Sequence, residues 1–162
     1  MRRRMVGIVV GVVGVAVAFV AAASCGDSTG PRLPTFTATL SAANEPGVVN
    51  STGTGTATFV DKGSEIDWTL TFSGLANVFA SHIHGPCDAC ASAPVIINLF
   101  LPNGNTGAAH SVTVHGQITN ENNTAVSLDS LRTLFNNGKS YVNIHTTANQ
   151  AGEIRGNVVR SN

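Results

Sequence analysis

Beyond residue 34 the chain alternates apolar and polar positions with a period of two. Phe36, Ala38 and Leu40 are interleaved with Thr35, Thr37 and Thr39. Thr54, Thr56 and Thr58 are interleaved with Gly55, Ala57 and Phe59. Ile66, Trp68, Leu70 and Phe72 alternate with Asp67, Thr69 and Thr71. Successive strand side chains point to opposite faces, so each run predicts a strand with one buried and one open face. Val78–His84, Val95–Leu101, Ser111–Thr119, Tyr141–Thr146 and Glu153–Val159 are further candidates, separated by Gly, Pro and Asn clusters. Short strands at this spacing predict an all-β fold, an antiparallel Greek-key-like β-sandwich. One segment keeps a different period. Leu128, Leu131, Leu134 and Phe135 recur at helical spacing, with Ser127 placed as an N-cap and Asn136-Asn137-Gly138 as a stop, which predicts one short helix.

The first residues obey neither pattern. Arg2, Arg3 and Arg4 precede an uncharged apolar run from Met5 to Ala23, which ends in Ala22-Ala23-Ser24-Cys25. A basic start, an apolar stretch and small residues before a cut site make residues 1–24 an export signal. Small residues ending at Cys25 resemble the bacterial lipobox, in which the cysteine is acylated; Ala22 stands where Leu is usual. Residues 25–34 then read as a lipidated Cys25 and a flexible tether, and residues 35–160 as one domain. The expected location is the bacterial cell envelope, on its periplasmic or cell-surface side. The expected partners are the membrane, through the lipid, and an envelope component or protein. Formal net charge is zero and only 11% of residues are charged. Phosphate binding needs a basic surface, so nucleic acid is excluded.

The chemistry-bearing residues are few. His82 and His84 flank Ile83 and share one strand face. Asn143 and His145 share the face opposite Val142 and Ile144. If these strands are neighbours, three imidazoles converge outside the core as ligands for copper or zinc. The alternative reading has the same side chains holding loop backbone by hydrogen bonds. Cys87-Asp88-Ala89-Cys90 follows directly. In an oxidising compartment it reads as a short-loop disulfide, with a zinc site from His82, His84, Cys87 and Cys90 as the other option. Glu153 and Arg155 share a face and, with Asn143, make a structural polar cluster, paired with each other or with turn backbone. His110 and His115 read as solvent-facing. No catalytic set is visible: there is no His-Glu-x-x-His, phosphate-binding Gly loop or supported Ser-His-Asp order.

Several ordered blocks carry a resemblance. They are Leu40-Ser41-Ala42-Ala43-Asn44-Glu45-Pro46, Gly53 to Phe59, Ala80 to Pro86, Tyr141 to Thr146 and Gly152 to Gly156. Together they resemble the CHRD domain, the module named from chordin and found in exported bacterial proteins. The resemblance implies a β-sandwich and a non-enzymatic binding or scaffold module. A looser similarity is to copper/zinc superoxide dismutase, in which a His-x-His strand and a later strand histidine bind copper. It implies His82, His84 and His145 as copper ligands and Arg155 as an anion-guiding group. No histidine between Gly85 and Leu101 supplies a bridging ligand. Two functions follow: a non-enzymatic binding or scaffold module, or a copper- or zinc-binding protein, with redox activity open to the copper form.

Overall fold

Threonine-rich alternation builds a single antiparallel sheet in a computed structural model that describes residues 32–162 apart from 88, 89, 109 and 124. The export segment and Cys25 lie outside the described residues. In chain order the strands are β1 (Thr35–Ser41), β2 (Thr54–Asp61), β3 (Ile66–Leu75), β4 (Val78–His84), β5 (Val95–Phe100), β6 (His110–Ile118), β7 (Tyr141–Thr146), β8 (Ile154–Asn157) and β9 (Val159–Arg160). Their order across the sheet is β5-β4-β7-β8-β1-β2-β3-β6, with β9 paired to β1. The sheet curls until it is nearly a barrel. Its two end strands, β5 and β6, approach closely enough for Ile96 and Ile97 of one and Gly116 and Ile118 of the other to line a common groove. The last predicted strand is split, because Val158 turns inward between β8 and β9.

The predicted apolar positions fill the interior. Phe36, Leu40, Phe59, Ile66, Leu70, Phe72, Ile83 and Ile144 are all buried. Helix α1 (Leu128–Asn136) closes one end of this core. Ser127 caps it, its Oγ accepting from the Ser130 N–H at 3.2 Å. Gly138, with φ of +62°, takes the left-handed turn after its last residue. Leu128, Leu131 and Phe135 face inward, and the Phe135 ring lies 5.3 Å from that of Phe36 and 4.9 Å from that of Phe59. Arg132 clamps the helix to the end of β2, with Nε 2.8 Å from Asp61 Oδ2. That hydrogen bond holds the Asp61 carboxyl below its usual range. Among the described residues no helix is long and apolar enough to cross a membrane.

The outer face of the sheet is not uniform. Thr56, Thr58 and Thr69 on β2 and β3 are exposed, as alternation predicts. In β7, by contrast, all six residues are buried. Something therefore roofs the outer face there. Residues 42–53 cover one side, with Asn44 Nδ2 donating to the Arg155 carbonyl at 2.8 Å. Residues 90–94 cover another, with the Ala93 N–H donating to Tyr141 Oη at 3.1 Å. Gly156 is needed where β8 meets β1, because a Cβ there would stand 2.4 Å from the Thr39 carbonyl oxygen.

Candidate metal centre

The roofed face is where the chemistry collects. β4 and β7 are antiparallel neighbours, with His82 opposite Asn143, His84 opposite Tyr141 and Ala80 opposite His145. Side chains directly opposite each other share a face. His82, His84, Tyr141, Asn143 and His145 therefore project together, away from the Val142 and Ile144 side. Arg155 of β8 continues the row beside Asn143. The condition set by the sequence, that the two histidine strands be neighbours, is met.

The three imidazoles converge. One ring nitrogen from each of His82, His84 and His145 lies within 4.8 Å of the other two. Ring centroids are 4.9 Å apart for His82 and His145, 5.7 Å for His82 and His84, and 5.9 Å for His84 and His145. Two of the rings are fixed from behind. His84 Nδ1 sits 2.8 Å from the Ala93 carbonyl, and His145 Nδ1 3.0 Å from the Gln150 carbonyl. A carbonyl only accepts, so each Nδ1 carries the proton and each Nε2 is left with a lone pair. Those two Nε2 atoms, and Nδ1 of His82, are buried without a hydrogen-bond partner. Tyr141 steadies His84 further, its ring stacked at 4.8 Å and 1° from parallel.

Electrostatics keep the cluster neutral. Burial, then the neighbouring His145 and His84, push the His82 imidazole down to about 4. Burial lowers His84 and His145 as well, against the opposing bonds to Ala93 and Gln150. At neutral pH two acceptor nitrogens, from His84 and His145, thus stand beside the uncharged His82 ring, and none of the three facing nitrogens has a partner. An orphaned buried acceptor costs about 1–3 kcal/mol, and a soft or borderline cation is the partner that such a set fits. Bonds of about 2.0–2.1 Å to a tetrahedral ion ask for nitrogens roughly 3.4 Å apart, so the three would draw together from within 4.8 Å on binding. Backbone carbonyls behind the ligands are the usual outer support of such a site.

The other predicted residues take different places. Glu153 and Arg155 do not pair. Glu153 Oε1 accepts from Ser51 Oγ at 2.6 Å, and Oε2 accepts from Thr146 Oγ. Burial alone would raise this carboxyl, but bonds from Ser51, Thr146 and Asn149 bring it below the ordinary value. Arg155 is buried and donates to the carbonyls of Cys90 (3.1 Å) and Ala91 (3.3 Å), while its guanidinium carbon lies 3.4 Å from the centre of the Tyr141 ring. It is a brace for the roof and does not reach open solvent as an anion guide would. The Cys87 and Cys90 sulfurs are 1.97 Å apart, at bonding distance, so they are not available beside His82 and His84 as zinc ligands. His110 and His115 are exposed on β6.

Two residues of this region stand in the resemblance blocks without a role read from the sequence. Tyr141 could have been found, since it shares the period of Asn143 and His145. Glu45 could not, because only the fold of residues 42–53 carries it over the sheet. It lines a cavity of about 210 Å³ with His84, Tyr141, Asn143 and Gly152. Burial raises its carboxyl to about 7, against the lowering effect of Arg155.

These displacements set the acid stability of the metal-free protein. Between pH 6.5 and 4 the unfolded chain binds more protons at His82, His84 and His145 than the folded chain does. Stability must then fall as pH falls through that window. Glu45 acts in the opposite sense from pH 7 to 4.5, because its folded form keeps a proton that the unfolded form releases. The three imidazoles act in one sense and the Glu45 carboxyl in the other. In thermal unfolding in chelator at pH 7, 6 and 5, the midpoint of Glu45→Gln should fall more steeply with acid than that of the wild type. A Glu45→Gln protein whose midpoint falls no more steeply than that of the wild type would contradict this assignment.

The chain matches the family model of the CHRD domain over residues 36–158. No curated protein and no solved structure matches it. The match spans every strand from β1 to β8 and includes all three histidines, so the chain belongs to the CHRD domain family.

Proposed function

We propose that this CHRD domain is a metal-binding module, held at the bacterial cell envelope by a lipid on Cys25, with copper or zinc bound by His82, His84 and His145. Family membership makes it a binding or scaffold module. The observation that carries the metal reading is the convergence, within 4.8 Å, of three imidazoles whose facing nitrogens have no partner. Three neutral imidazoles leave a coordination position open for a small ligand or a partner's side chain. His82, the most exposed of the three, marks the side from which it is reached. Among the described residues no nucleophile stands beside the histidines. The domain is read as a carrier or sensor of the metal.

The lipid anchor rests on the basic start, the apolar run and the small residues before Cys25. One preparation tests both parts. Full-length protein expressed in a bacterium and extracted from its membranes should begin at Cys25, with an acyl-bearing mass. It should also carry close to one equivalent of copper or zinc, or take it up on titration with either ion. A lipid-free start downstream of Cys25 defeats the anchor. Metal below about one-tenth equivalent with no uptake defeats the site and leaves a scaffold without metal.

A further inference from the structure

Cys87 and Cys90 have surroundings that a passive cross-link does not require. The Arg155 guanidinium, 4% exposed, has Nη2 3.8 Å from Cys87 Sγ. No carboxylate lies within ion-pair distance of Arg155 among the described residues. Glu45, the acidic group that acts on Arg155 across the roof, is itself raised toward its neutral form by burial. The Cys90 N–H also donates to Cys87 Sγ, at 3.0 Å. A buried cation and a backbone donor thus meet at one sulfur, the arrangement that stabilises a thiolate. The second sulfur differs. Cys87 is buried, whereas Cys90 is partly open to solvent. The pair is therefore polarised, with an accessible sulfur to be attacked and a sheltered, cation-bound sulfur to leave.

We propose that Cys87–Cys90 is a redox-active disulfide that accepts two electrons from a dithiol. The thiolate of the dithiol attacks Cys90 Sγ and forms a mixed disulfide. The Cys87–Cys90 bond breaks, and its electron pair stays on Cys87 Sγ, held by Arg155 and the Cys90 N–H. The second thiol of the dithiol, deprotonated to solvent, then displaces Cys90 Sγ, which takes up a proton. The dithiol departs as its own disulfide, oxidised by two electrons, and the protein keeps a Cys87 thiolate and a Cys90 thiol. A leaving thiol of low pKa speeds the first step. This activity does not depend on the metal reading. It does bear on it, because the same segment supplies the Ala93 carbonyl behind His84.

The test uses the full-length, metal-free protein, reduced with dithiothreitol and then freed of it. Iodoacetamide alkylation is followed by peptide mass, which separates Cys87 from Cys90 and Cys25. Half-maximal alkylation of Cys87 is expected at or below about pH 7, against about 8.5 for an ordinary thiol. Arg155→Met should move that midpoint up by about one pH unit, and Arg155→Lys should restore most of the shift. Reduction of the oxidised protein by dithiothreitol at pH 7 should slow roughly tenfold in Arg155→Met. A wild-type midpoint at 8.5 or above overturns the proposal even if the variants fail to fold. So does a folded Arg155→Met protein whose midpoint and reduction rate match the wild type.

Discussion

Replacing His84 and His145 together by alanine is expected to cut copper or zinc affinity by roughly a thousandfold or more, while the metal-free chain still folds. Loss of an outer hydrogen-bond partner alone costs a metal site about 10–100-fold, and here two inner ligands go. The folded state should survive because neither ring belongs to the apolar core. Their Nε2 atoms have no partner, and their Nδ1 atoms bond only the Ala93 and Gln150 carbonyls at the edge of loops. The contrary reading, in which the histidines exist to hold those loops, predicts the reverse. It requires a large loss of stability without metal and no metal affinity to lose. Titration of wild type and variant with Cu²⁺ and Zn²⁺, beside urea unfolding in chelator, separates the two. Equal metal affinities in the two proteins would remove these residues from the site.

The second large effect belongs to the interior. Phe135→Ala should destabilise the domain by about 3–5 kcal/mol, the range for deleting a buried aromatic ring. Phe135 is wholly buried and touches the rings of Phe36 on β1 and Phe59 on β2. Those strands and the helix would lose their common contact at once. The Arg132–Asp61 pair would remain, but it is partly exposed and offsets little. Chemical denaturation should show a lower midpoint with an unchanged slope. A loss below 1 kcal/mol would mean that α1 is an appendage and not part of the core.

The strands were legible because threonine and apolar residues alternate without interruption over β1, β2 and β3. The helix was legible from Ser127 and the spacing of Leu128, Leu131 and Phe135. The histidine set was legible only in halves. Period two puts His82 with His84, and Asn143 with His145, but nothing local says that β4 lies against β7. That pairing joins strands separated by two others in the chain, and the family resemblance does not state it. The roof was not legible at all. Residues 42–53 have turn composition, and their position over β8 depends on the Asn44 and Ser51 contacts to distant strands. For the same reason the partners of Glu153 and Arg155 were left between each other and turn backbone. Period two fixes which face a side chain takes, and a loop arriving from elsewhere decides what it meets there.

The stack of Tyr141 on His84 gives the molecule its own signal. The chain contains one tyrosine and one tryptophan. The tyrosine lies against a candidate ligand and beneath the Arg155 guanidinium. The tryptophan, Trp68, rests against Gly116 beside the groove between β5 and β6. Two natural chromophores therefore sit on different strands, β7 and β3. Quenching of tyrosine emission is the signal expected of metal bound at the histidines as proposed, and the ring current of Tyr141 displaces the His84 proton resonances whenever the two rings remain in register. Tryptophan emission reads the groove between β5 and β6, whose Val95 and Asn98 pair with His84 and His82 on β4.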